Sequence, residues 1–312
     1  MQARAERRDR SVHAGAWLCA LTVVLACGWW VLGAPARAQN GAAQGDTLSA
    51  GPKELAEDAV ANEIKLIQFQ HAYLRYRVHT KDAKGDQVRD VIESKDGTVA
   101  RVVLRSDRAL TPEEDAGEHQ RLQAMLDSPS TFQKHIQKDV SGKRQAIELV
   151  KMMPDAMVYS FVPGQPQREH KPAGTPAEYV LDFQPNPKWN PPTMESEALT
   201  GIEGRCWIDA KTHHLTRLEA KIFQGVNFGF GIFGHIFPGG QLVLEQEQVD
   251  DQRWMVDRFM DQLTVRVVVK TLKESTDWYA FEFSPVKEMG YQEAIHLLLA
   301  TPLPGGGVTA SK

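Results

Sequence analysis

The chain has 312 residues, 42% of them hydrophobic, with 36 basic and 40 acidic residues and a formal charge of −4. That length and apolar content support a substantial core in one large or two smaller domains, and the slightly acidic balance excludes a nucleic-acid footprint. Three cysteines, at 19, 27 and 206, are too few for a disulfide framework.

Residues 1–38 read as an export signal. Arg4, Arg7, Arg8 and Arg10 give a basic start, residues 17–32 form an apolar run, and Ala36-Arg37-Ala38 is a small-x-small cleavage site. Cleavage after Ala38 would place the mature chain in the periplasm, beyond the inner membrane of a bacterium. Two other readings of this start are lipidation at Cys27, from the lipobox-like Val24-Leu25-Ala26-Cys27, and retention of the run as an uncleaved anchor, since it is close to the roughly 18 apolar residues that a span requires. Cleavage would remove five arginines, Glu6 and Asp9, taking the charge from −4 to about −7, and would leave Cys206 as the one cysteine.

Residues 39–52, rich in Gly, Ala, Ser and Gln, read as a disordered leader. A single domain is expected over 53–300, with a loose tail at 301–312. A helix is expected over 53–67, where Leu55, Val60, Ile64 and Ile67 recur near one face, either packed on a sheet or lying as a lid over an opening. The period then changes from 3.6 to 2. Three strands follow, over 73–79, 88–93 and 99–105, joined by Ala83-Lys84-Gly85-Asp86 and Lys95-Asp96-Gly97, as an antiparallel meander with one wetted face.

Thr111-Pro112-Glu113-Glu114 carries the cap, first-turn proline and early acids of a helix start. Helical spacing continues to about Met153, with breaks expected at Ser128-Pro129-Ser130 and near Ser141-Gly142. Strands at 157–162 and 178–183 flank a polar hairpin. The proline-dense 184–192, with Trp189 in its middle, is too rich in proline for a helix or central strand and reads as a strap or an ordinary crossover.

From 205 onward the β pattern is nearly continuous, with strands at 205–209, 215–223, 242–249, 253–259, 263–272 and 278–283. Asp250-Asp251 and Glu274-Ser275-Thr276-Asp277 are expected as polar turns, and a helix over 287–300 closes the domain. The fold class is therefore α+β: a large antiparallel sheet of about ten or eleven strands with helices on one face.

One stretch stands apart. Residues 225–240, G-V-N-F-G-F-G-I-F-G-H-I-F-P-G-G, carry no formal charge and set four phenylalanines among glycines. A fully buried Phe is worth roughly 1.5–3 kcal/mol, so something must cover this surface. Either the helices of 111–153 cover it as permanent core, or they cover it loosely and leave a pocket for an acyl chain or other apolar ligand. Phe228, Phe230, Ile232, Phe233, Ile236 and Phe237 are the candidate pocket residues, with Trp207 as a neighbour.

Catalytic machinery has no such signal. His213-His214 are adjacent on a strand and point to opposite faces, and no H-E-x-x-H, C-x-x-C, G-x-S-x-G or phosphate-binding glycine loop occurs. Glu245 and Glu247 lie on one strand face roughly 7 Å apart, where a solvated sheet face is the simpler reading. No catalytic residue, metal or cofactor is expected, and Cys206 reads as a small buried core residue.

The order of elements, with G-I-E-G-R-C-W-I-D at 201–209, L-T-R-L-E at 215–219 and L-E-Q-E-Q-V followed by R-W-M over 244–255, resembles the bacterial outer-membrane lipoprotein-sorting proteins, a group of periplasmic carriers, receptors and related regulators. The resemblance spans about residues 59–286. It implies a half-open antiparallel barrel with helices as a lid over a cavity for lipid or lipoprotein acyl chains. The Phe-Gly stretch, the proline strap and the helical insert depart from the compact carrier. An envelope sensor or scaffold binding a protein partner is the alternative function, and an unrecognised hydrolase a third. N-terminal sequencing of the exported protein is expected to start at Gln39; a start at Met1 rules out cleavage.

Overall fold

The computed structural model describes residues 50–68, 73–169, 171, 174, 176–229, 231, 233–250 and 253–304. The expected signal, the leader up to Ser49 and the last part of the tail lie outside these residues.

Helix α1 (Pro52–Gln68) enters first, burying Leu55, Ala56, Ala59 and Ile67. The meander follows as β1 (Tyr73–Asp82), β2 (Gly85–Ser94) and β3 (Gly97–Arg105), with a two-residue strand β4 (Arg108–Ala109). Its two turns are tight because Gly85 (φ 128°) and Gly97 (φ 125°) adopt backbone angles that side chains resist. Gly97 also makes room: a Cβ there would overlap Ile136 Cδ1, so a helix seats directly on this turn.

Helix α2 (Pro112–Asp127) starts at the expected cap, which the structure shows to be a capping box, Thr111 and Glu114 each accepting from the other's backbone N–H. Helix α3 (Pro129–Ala156) follows after Ser128. The break expected near Ser141-Gly142 does not occur. A helical glycine costs only about 1 kcal/mol relative to alanine, and the packing along this helix outweighs that.

The remaining strands are β5 (Met157–Phe161), β6 (Glu178–Pro185), β7 (Ile202–Asp209), β8 (Leu215–Ile222), β9 (Val226–Phe228), β10 (Gly234–Ile236), β11 (Gln241–Gln248), β12 (Trp254–Val267) and β13 (Lys270–Val286), with α4 (Tyr291–Ala300) last. A 3-10 helix, Glu195–Gly201, follows the proline strap and has no counterpart in the spacing pattern. The strap itself is tied down by Asn186, whose N–H donates to Ala156 O and whose side chain donates to Asp155 O.

All thirteen strands belong to one open antiparallel sheet, in the order β4-β3-β2-β1-β13-β12-β11-β8-β7-β6-β5, so the first meander lies beside the last hairpin. The short pair β9–β10 branches off where β10 takes the place of β11 along the far end of β12. One expected turn is displaced. Glu274 to Asp277 run inside β13, paired with Leu263 to Met260, and the chain reverses instead at Val268-Val269. Asp261, fully buried, stands in register opposite Thr276, and burial raises its carboxyl, so the polar run that composition assigned to a loop lies within the ladder.

Two large cores share one helix. α1 and the end of α3 cover Leu181, Phe183, Cys206, Ile208, Leu218, Leu244 and Phe259. α2, α4 and the start of α3 cover Ile92 and Val99, with Phe132 stacked on Tyr291 at 3.8 Å between ring centroids. Cys206 is buried, as expected, and burial pushes its thiol up to about 12.

Between the cores, Arg253 makes a two-pronged ion pair with Glu93 at 2.8 and 2.7 Å, both side chains buried. Glu93 also accepts from Leu74 N–H. Burial pushes its carboxyl upward, opposed by the charges of Arg253 and of Lys143 on α3. Replacing Arg253 with Met would strand that carboxylate and should cost about 3–5 kcal/mol in urea unfolding, whereas the double change Glu93→Met with Arg253→Met should recover much of the loss.

Candidate functional site

The expected pocket residues separate into several places. Phe228 and Ile236 are buried with Ala198, Ile222, Leu263 and Val265 beneath the 3-10 helix. Their cover is thus that short helix, where the helices of 111–153 were expected. Phe233 is half exposed, its ring lying over Gly229, where a Cβ would overlap Phe233 Cδ2. Phe237 packs edge-on to His235 at 4.6 Å, with the Arg266 guanidinium 5.9 Å from its ring centre. Trp207 belongs to another cluster with Val162 and Val180 and donates through Nε1 to Pro166 O at 2.9 Å. Phe230 and Ile232 lie outside the described residues.

A narrow, partly open apolar void lies next to the Phe228 cluster. It measures about 60 Å³ and is bounded by Met153 at the end of α3, Met157 of β5, Leu199 of the 3-10 helix, and Leu218, Leu242 and Leu263 of the sheet. Ile222 and Leu263 belong both to its wall and to the core around Phe228. Spacing could not have singled out this set, since the residues around the void come from eight elements. The methionines are legible as soft contacts on the sheet, and that signal points to the right helix end.

The opposite face of the same strands carries an open trough of about 730 Å³. Asp182, Arg205 and Glu219 line it, alternating along their strands with the inward Leu181, Cys206 and Leu218. Arg205 pairs with Asp182 at 2.7 Å and Lys221 with Glu203 at 2.8 Å, so these side chains neutralise one another across neighbouring strands. Arg217 likewise pairs with both Glu219 and Glu245. Although larger than the apolar void, the trough is a wetted sheet face.

On the same face of the sheet, α1 is held by polar contacts. Asn62 donates to Thr212 O at 3.0 Å and His213 O at 3.2 Å, Asp58 pairs with His213 at 2.8 Å, and Lys53 reaches Asp155 at the end of α3 at 2.8 Å. Glu63 points inward. Its Oε2 accepts from Gln246 Nε2 at 2.7 Å, while its Oε1 is buried without a hydrogen-bond partner among the described residues. Burial raises this carboxyl to about 7, against the lowering effect of the Gln246 hydrogen bond. His214 stacks on Trp254 at 5.1 Å, and burial lowers its pKa.

Among the described residues, His79, Asp86 and Asp107 present ligand atoms within 4.8 Å of one another. His79 lies between Tyr279 Oη at 2.7 Å and Asp86 at 2.6 Å, and the ammonium of Lys81 stands 3.5 Å from Asp86. With that cation already present and Asp107 exposed, the group reads as a surface ion-pair network. No protein-family model matches the chain, and no curated protein matches it.

A carboxyl raised in the fold favours the protonated state there. Stability from Glu63 is therefore full below about pH 4.5, falls as pH rises, and levels off above about 7. The change should reach roughly 3 kcal/mol. Glu63→Gln is expected to remove that part of the slope in denaturant melts between pH 4.5 and 7.5.

Proposed function

We propose that this protein is a non-enzymatic binder of an apolar ligand, held on the covered face of the open sheet beneath α1, the end of α3 and the 3-10 helix. The observation that carries the reading is the narrow apolar void between Met153, Met157, Leu199 and the leucines of the sheet. At about 60 Å³ it has the bulk volume of roughly two waters, well below the ~300 Å³ at which small-molecule pockets begin. Binding therefore requires the cover to move outward. The cover suits that motion, because it consists of helices docked on the sheet through side chains, while the sheet's own hydrogen-bonded ladder is untouched by their displacement. Methionine at the contact accommodates a changed shape at low cost.

An export signal at residues 1–38 would place this activity in the bacterial envelope, and the resemblance to lipoprotein-sorting proteins would make the ligand an acyl chain of a lipid or lipoprotein. The reading keeps Phe228 and Ile236 as supporting wall behind Ile222 and Leu263, and it moves the contact surface to the leucines and methionines.

Native mass spectrometry of gently purified protein should show a copurifying lipid, and the delipidated protein should bind a fluorescent fatty-acid analogue. Ala220→Leu, which adds three carbons to the wall of the void, is expected to weaken probe binding about tenfold or more, equivalent to ~1.4 kcal/mol. Absence of both copurified lipid and probe binding in a folded protein would remove the basis for this function.

A further inference from the structure

Two turns lie side by side at one end of the sheet. The β9–β10 connection reaches Phe233, the β12–β13 connection is Val268-Val269, and the Val268 N–H donates to Phe233 O at 3.2 Å. The apex they form is apolar and uncovered: Phe233 is 52% exposed, Val268 51% and Val269 90%. Val268 adopts φ 55°, a left-handed conformation that a β-branched residue resists and that Gly or Asn would take more easily. An apolar residue thus stands where turn chemistry favours a polar or glycine one.

The charge around the apex is one-sided. Residues 225–244 and 262–273 contain no Asp or Glu, although acids outnumber bases 40 to 36 over the chain. They contain Arg266, Lys270 and Lys273, and Lys270 and Lys273 are exposed. None of these three cations forms an ion pair among the described residues, whereas cations on the β7 and β8 face are paired with acids. An apolar tip with an unneutralised cationic collar complements a surface that is anionic outside and apolar beneath.

We propose that this apex docks on a lipid surface bearing anionic headgroups. Phe233, Val268 and Val269 enter the boundary between headgroups and acyl chains, and Lys270, Lys273 and Arg266 meet the headgroups. Penetration is shallow because backbone polar groups cannot enter hydrocarbon unpaired; the hydrogen bond from Val268 N–H to Phe233 O satisfies one of them at the tip. No described helix is long and apolar enough to cross a membrane, and this contact does not require one. The assignment goes beyond the ligand-binding function and stands whatever the void holds.

The apolar run at residues 17–32 could bind vesicles by itself, so the test reads the apex directly. In the full chain with Cys19→Ser and Cys27→Ser, and with Cys206 buried, Val269→Cys is labelled with an environment-sensitive fluorophore. Val140→Cys on α3, also exposed, serves as the control position. With vesicles of phosphatidylcholine and phosphatidylglycerol, the label at 269 should shift to the blue and be quenched by brominated acyl chains, while the label at 140 should not. Each cation near an anionic surface strengthens partitioning about five-fold, so Lys270→Glu with Lys273→Glu should weaken the response roughly 25-fold or more. A label at 269 that remains in water while the chain sediments with vesicles would overturn the proposal. So would equal responses at 269 and 140, an equal response to phosphatidylcholine alone, or burial of the label only by a soluble protein partner.

Discussion

An open sheet with one apolar face must have that face covered along its whole width, and here a single helix reaches across it. α3 is 28 residues long, about 42 Å at 1.5 Å per residue. Near its start Phe132 stacks in the core of α2 and α4; near its end Met152 and Met153 meet the core of α1. Between them, the charge of Lys143 favours the ionised form of the buried Glu93 carboxyl. The two apolar anchors thus lie near opposite ends of one helix. This explains why Gly142, buried within the helix, does not interrupt it: breaking α3 there would separate anchors on opposite sides.

The same arrangement makes the two halves unequal. Over the meander, aromatic stacking and Ile136 seated on Gly97 pack helices closely against the turn. Over the later strands, the cover is made of α1, the end of α3 to which it is tied by Lys53 and Asp155, and a seven-residue 3-10 helix. Flexible methionines and a void mark that side, and the buried Glu63 carboxyl links seating of α1 to protonation. Protonation of Glu63 thus acts on the cover of an apolar face, and the buried core around Phe228 shares Ile222 and Leu263 with the wall of the void on that face.

The meander is legible nearly residue by residue because Gly85 and Gly97 punctuate it and its side chains alternate. α1 and α2 are equally clear, the latter from its cap, first-turn proline and early acids. The hairpin β12–β13 departs from its pattern. A polar run, Glu274 to Asp277, normally marks a turn, yet here it pairs across the sheet, and the reversal falls on two valines that composition assigns to a strand. The 3-10 helix carries no periodic pattern long enough to be seen. Phe228 and Ile236 are recognisable as surface needing a cover, but the identity of the cover, seven residues from just after a proline strap, depends on contacts between segments far apart in the chain.

Short-range pattern was enough for the antiparallel α+β class, most strand positions, the places of the meander's turns and the buried character of Cys206. These follow from side-chain period, glycine geometry and hydrophobicity, each set by a few neighbouring residues. Tertiary structure decided strand order, the continuity of α3, the pairing of Glu93 with Arg253 across 160 positions, and the gathering of eight elements around one void. The physical reason is that burial and partner choice are properties of surfaces brought together by folding. A residue's own neighbours in the chain do not specify whether a phenylalanine faces a ligand, a short helix or open solvent.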